Sequence, residues 1–205
     1  MKKVFLILSL LLCGIRPAAG ADGPLSAAET AQKGIDACDS DLFSKGVDMD
    51  RVALRAVQDI LKEDVLSGQA EKKAGGAAGL LASLGAASPE QAALIARLLA
   101  SELRGFAVSG INSCLFAGKE GAQSPRSGGM LAAALDRLPS GRREIRAGKI
   151  LRLDKGKARI SAEFVDPRAG AFPLVLGVER QNGAWRIVEI DNVPELLEQA
   201  AGHGH

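Results

Sequence analysis

The chain has 205 residues, with 26 Lys and Arg against 24 Asp and Glu, two His, one Trp, six Phe and no Tyr. Charges of both signs are interspersed along it, which excludes the basic stripe of a nucleic-acid binder. His203 and His205 are the only imidazoles and both lie in the terminal "GHGH", so a buried Ser-His-Asp or Cys-His site has no His to build from.

The chain opens "MKKVFLILSLLLCGIRPAAGADG": Lys2 and Lys3, an apolar run from Val4 to Ile15, then small residues ending Ala19-Gly20-Ala21. That order is the pattern of a secretory signal, and a run broken by Arg16 and Pro17 is too short to span a bilayer. We expect cleavage after Ala21. Of the 26 cations, Lys2, Lys3 and Arg16 lie in this segment, so the following 184 residues carry 23 cations against 24 acids, near neutrality and without a transmembrane helix. The expected location is the periplasm. The alternatives are secretion and lipid anchoring through Cys13, although Leu12 stands where lipid attachment needs a small residue.

The remainder is long enough for one domain with its own core. We expect residues 22–202 to form it, with a helical part at 26–138, a sheet part at 143–191 and a tail at 203–205. Cys38 and Cys114 remain after cleavage, and in an oxidising compartment an even pair suggests one disulfide; two buried free thiols are the alternative.

In chain order, Ser26 followed by Glu29 suggests a capping box, and Ala28, Ala31, Ile35, Cys38 and Leu42 then form one apolar stripe with Cys38 facing the core. A second helix is expected after Asp50 as N-cap, with Ala53, Ala56, Val57, Ile60 and Leu61 on one side. The uncharged Gly/Ala-rich segment 74–87 reads as a loosely packed core helix or as a contact for lipid or an envelope protein. Ser88, Pro89 and Gln91 then start a clear helix whose buried face is Ile95, Leu98, Leu99, Leu103 and Phe106. A loop follows to about residue 129, then a short helix at 130–138.

Past residue 143 the period changes to two. "REIRAGKILRL" and "GKARISAEFVD" read as a strand pair joined through Asp154-Lys155-Gly156, with Ala158, Ile160, Ala162 and Phe164 on the buried side. Phe172, Leu174, Leu176 and Val178 mark a third strand. Asn182-Gly183 predicts a two-residue turn pairing Gln181 with Ala184, Arg180 with Trp185, Glu179 with Arg186 and Val178 with Ile187. Opposite charge joins Glu179 to Arg186, and Arg180 can cover the indole. A short helix "PELLEQAA" ends the domain. The fold class is α+β: N-terminal helices packed on a curved four-stranded antiparallel meander.

The run R-x-x-G-x-W-R-I-x-x-I from Arg180 to Ile190, closing a meander that follows helices, resembles the terminal hairpin of nuclear transport factor 2-like domains and related small exported bacterial domains. The resemblance covers roughly residues 143–191. It implies a pocket and no particular reaction, because that family holds both conical-sheet enzymes and non-catalytic binders. The acid and His pair of its enzymes has no His counterpart here.

Other chemistries find little support. Asp36, Asp39, Asp41, Asp48 and Asp50 cluster without the alternation and closing Glu of a calcium loop, and capping explains them better. The Gly-Lys pairs at 118–119, 148–149 and 156–157 lack the following Ser or Thr of a phosphate loop. The sequence calls for no cofactor and no metal. An unbroken register puts Glu189 opposite Leu176 on the apolar face, where an unpaired charge is costly; a single bulge would turn Val188 and Ile190 inward instead. The leading expectation is an exported, non-catalytic module binding a small apolar ligand, or an envelope protein, at a concave face bordered by Phe164, Phe172, Leu176, Trp185 and Ile187. The competing class is a small enzyme with Glu189 or Asp191 as acid or base, and a third is envelope or lipid association through 74–87.

Overall fold

The switch from helical to strand period near residue 143 divides the architecture. A computed structural model describes residues 23–67, 89–119, 122, 141–166, 170–193 and 195–196. The expected signal with Cys13, the segment 74–87, the helix expected at 130–138 and the His tail lie outside them. Helices α1 (Ser26–Ala37), α2 (Ser40–Gly46), α3 (Met49–Ser67) and α4 (Pro89–Asn112) precede strands β1 (Glu144–Asp154), β2 (Lys157–Asp166), β3 (Gly170–Gln181) and β4 (Ala184–Ile190). The strands form one antiparallel sheet in the order β1-β2-β3-β4, which makes the chain an α+β protein.

The helix ends differ from expectation in instructive ways. Ser26 is the first residue of α1 rather than its cap, and its hydroxyl donates back to the Gly23 carbonyl at 2.6 Å. Cys38 lies one residue past α1 in a left-handed conformation, φ 59°, where its N–H closes the helix on the Gly34 and Ile35 carbonyls. It is therefore a cap and not part of the buried stripe. Cys114 adopts the same conformation, φ 60°, two residues beyond α4, and the two half-cystines are bonded with Cα atoms 5.0 Å apart. Each helix ends in the sharp turn that presents its sulfur to the other.

The acids between the first helices cap them. Asp39 accepts the amides of Asp41 and Leu42 and so starts α2, a helix not anticipated from the sequence. Asp48, not Asp50, caps α3 by accepting the Arg51 amide at 3.2 Å. Among the described residues no group of three or more His, Cys, Asp or Glu could hold a metal ion.

One face of the sheet is apolar and covered. Ala158, Ile160, Ala162, Leu174, Leu176, Val178, Trp185 and Ile187 pack with Ala27, Ala28 and Ala31 of α1 and with Val47 in one cluster. Small side chains on α1 let its backbone lie close to the larger sheet residues, each of which stabilises by about 1.5–3 kcal/mol when fully buried. A second cluster joins α3 to α4 through Val57, Ala96, Leu99 and Ala100. Leu98, expected to be buried, is 50% exposed, and Ala96 and Ala100 take the inward positions.

Both outer strands are tied to the helices. Val47 forms a parallel bridge to Ile187, the Asp48 amide donates to the Ile187 carbonyl at 2.8 Å, and Arg186 donates to the carbonyls of Ser44 and Val47. Gln32 of α1 accepts the Ile145 amide of β1 at 2.6 Å. Beside the disulfide, Arg143 and Asp166 form an ion pair at 3.0 Å with side chains only 7% and 13% exposed, and the guanidinium lies 5.1 Å from the Phe116 ring centre. The turn that carries Cys114 is thereby held to the start of the sheet.

The disulfide closes a loop spanning 76 positions. Chain-entropy arguments for a loop of that size give about 4 kcal/mol of stabilisation. Replacing Cys38 and Cys114 together by Ser should lower the unfolding free energy in urea by about that much, and added reductant should then have no further effect on the double variant.

Candidate functional site

The predicted register of the last hairpin holds as far as Ile187. Asn182 and Gly183 take φ 50° and 86°, and Gln181, Arg180, Glu179 and Val178 face Ala184, Trp185, Arg186 and Ile187. Arg186 nevertheless turns to the α2 carbonyls rather than to Glu179, and Arg180 donates to the Gly183 carbonyl at 3.3 Å.

Beyond Ile187 a bulge intervenes. Val188 is the extra residue, so Glu189 faces Gly177 and Ile190 faces Leu176. The driving force is apolar: the bulge sets Ile190 opposite Leu176 and against the core cluster that holds Ile187, whereas an unbroken ladder would have set the Glu189 carboxylate there. Glu189 now crosses the face of Gly177, where any Cβ would overlap its side chain. Glycine is what allows the carboxylate to lie flat there.

Strand β1 does the same on the other side of the sheet. Register shifts between Ala147 and Ile150 and between Ile150 and Arg152 leave Leu151 unpaired and put Arg152 opposite Arg159, with Asp154 opposite Lys157. Between the bulges, β2 and β3 supply Lys157, Arg159 and Glu179 from positions that alternate with the buried Ala158, Ile160 and Val178.

Helix α3 completes the site. Arg51 and Arg55, one turn apart, reach the sheet: Arg51 bonds Glu179 at 2.6 Å and Arg55 lies 3.4 Å from Glu189. The result is a cleft of about 390 Å³ lined by Arg51, Arg55, Arg152, Asp154, Lys157, Arg159, Glu179 and Glu189 over a floor that includes Gly177 and Val188.

The charges are unequally used. Glu179 is the hub, taking Arg51 and also Lys157 at 3.1 Å, and these hydrogen bonds hold its carboxyl at about 2, far below the ordinary range. Asp191 lies 2.9 Å from the Arg159 Nε, but no aligned hydrogen bond reaches that oxygen. Burial pushes its carboxyl above the ordinary range, Arg159 opposes the shift, and neighbouring Glu189 adds to it. Arg152 has no ion pair among the described residues.

The residues singled out from the sequence separate. Leu176, Trp185 and Ile187 belong to the core cluster under α1, Phe164 packs partly against it, and Phe172 is buried. Glu189 and Asp191 lie at the open, opposite face. Arg51, Arg55, Arg152 and Arg159 carried no signal as a group, because all four come from outside the last hairpin and the bulge that orients Arg152 leaves no mark in the sequence.

No protein-family model, curated protein or solved structure matches this chain.

Glu179 ties helix to sheet, so its titration should be visible in stability. Its folded pKa lies below the unfolded 4.5, so the pairing contributes fully above that pH and is lost as pH falls toward about 2. Because Arg51 is 40% exposed, Glu179→Gln should cost only about 1 kcal/mol at neutral pH, well short of what the full shift implies. Urea titrations at neutral pH and at about pH 3 should show the difference between the two proteins narrowing in acid.

Proposed function

We propose that the protein is an exported, non-catalytic binding module whose small polar ligand sits in the cleft between α3 and the sheet. The observation that carries this reading is the open cleft itself, where register shifts in β1 and β4 bring charged side chains together on one face. Two of its carboxylates are already engaged, Glu179 by Arg51 and Lys157 and Glu189 by Arg55, and the neighbouring Asp191 lies beside Arg159. Groups so held serve as fixed walls and recognition points. The location of the cleft shifts the expected ligand from apolar to polar, since the aromatic face lies beneath α1.

Export rests on the pattern of residues 1–21 and fits the Cys38–Cys114 bond, which belongs to an oxidising compartment. No helix among the described residues is long and apolar enough to cross a membrane. The likeness of the terminal hairpin to nuclear transport factor 2-like domains belongs to the same proposal, as a pocket beside a meander.

A second reading has one observation in its favour. The Asp191 carboxyl, pushed up mainly by burial, lies beside the Glu189 carboxylate, and a buried acid next to a second carboxylate is an arrangement that acid–base chemistry uses. The readings diverge on Glu189→Gln and Asp191→Asn. An enzyme loses turnover in both, whereas a binding module has no turnover to lose and shows at most a change in ligand affinity, since Glu189 lines the cleft.

Two measurements test the leading proposal. Osmotic-shock fractionation followed by N-terminal sequencing should yield a mature chain beginning at Asp22; a cytoplasmic product that retains residues 1–21 would sink the export half. NMR titration of the 15N-labelled protein with glucose, glycine, inorganic phosphate and citrate should give saturating amide shifts at Gly177, Val188 and Glu189 with at least one probe. Silence from all four would remove the binding half.

A further inference from the structure

Resting on the cleft as a binding site, we infer that its ligand carries a compact oxyanion, a phosphoryl or carboxylate group, and that Arg152 and Arg159 hold it. Arg152 and Arg159 are direct cross-strand partners on β1 and β2. Like charges in that position repel, and sheets ordinarily avoid them. Here the arrangement is imposed by a bulge: had the Ile150–Ile160 register continued, Leu151 would face Arg159 and Arg152 would face Ala158.

The wider charge pattern points the same way. Five cations line the cleft, Arg51, Arg55, Arg152, Lys157 and Arg159, against the three carboxylates Asp154, Glu179 and Glu189. Arg51 and Lys157 converge on Glu179, and Arg159 reaches Asp191 through an unaligned contact, while Arg152 has no ion pair among the described residues. A surplus of positive charge therefore collects where β1 meets β2. Two planar guanidinium groups on adjacent strands supply the paired N–H donors that phosphate and carboxylate oxygens accept in bidentate fashion. An oxyanion between them would offset the repulsion between the two guanidinium groups.

The same chemistry is offered by a free metabolite and by an anionic lipid headgroup, and the experiment separates them. Inorganic phosphate and citrate are titrated against the wild-type protein and against Arg152→Gln, with amide shifts at Arg159, Gly177 and Glu189 as the readout. Phosphatidylglycerol vesicles are tested by co-sedimentation with the same two proteins. A response to phosphate or citrate that weakens roughly tenfold or more in Arg152→Gln, the loss of one charge-assisted contact, supports the seat with a soluble ligand. Vesicle binding that Arg152→Gln abolishes, without response to the free anions, supports it with a headgroup as source.

Arg152 is exposed and lacks an ion pair, so the variant's thermal midpoint without ligand should match or exceed that of the wild type; a lower midpoint would mark Arg152 as a structural residue and overturn the inference. So would a response that persists unchanged in the variant, or silence from all three probes. If glucose or glycine moves the cleft amides while the anions and vesicles do not, the binding module stands and the oxyanion seat falls.

Discussion

Strand β4 must set Ile187 and Ile190, three positions apart, against the same core cluster, and a pleated strand can do that only by breaking its alternation. The bulge at Val188 is the consequence, and the charged face of the sheet depends on it. Past the extra residue, Glu189 leaves the core side, lies across Gly177 and comes within reach of Arg55. Without that one-residue slip, the carboxylate would oppose Leu176 in an apolar interior, and α3 would have nothing to hold at the far end of β4.

The two faces of the sheet divide the work. On one, α1 presents three alanines to the larger residues of β2, β3 and β4, and the contact is dry and filled. On the other, Arg51 and Arg55 of α3 reach Glu179 and Glu189 by ion pairs, and these side chains line an open cleft. The parallel bridge of Val47 to Ile187 fixes the start of α3 beside β4, so that consecutive turns of the helix meet Glu179 and then Glu189.

The helical layer is secured at a distance from this cleft. The Cys38–Cys114 bond, the Arg143–Asp166 pair and the ring of Phe116 lie together where α1, the end of α4 and the start of the sheet meet. A nearly buried ion pair adds less net stability than its contacts suggest, because both charges give up water, but removing either partner leaves the other stranded. The covalent bond and the ion pair thus join the helical layer to the sheet at one corner, away from the more exposed pairs of the cleft.

Periodicity alone determined much of this protein. The alternation of Ala158, Ile160 and Ala162 and the Asn182-Gly183 turn specified strands, meander and hairpin register as far as Ile187, because burial on one face and a two-residue turn admit few other solutions. The sequence also narrowed the two cysteines to a pair. It did not reveal which acids cap the helices, since Asp39 and Asp41, or Asp48 and Asp50, are equivalent until the chain direction at the cap is known. It pointed to the aromatic face as the site, because pattern reports which residues are apolar but not which of them another element covers. The cleft was decided by tertiary structure: register shifts in β1 and β4 displace charges, and a helix distant in sequence supplies the opposing arginines. Bulges arise from competition between burial on the two sides of a strand, and that competition exists only once the layers meet.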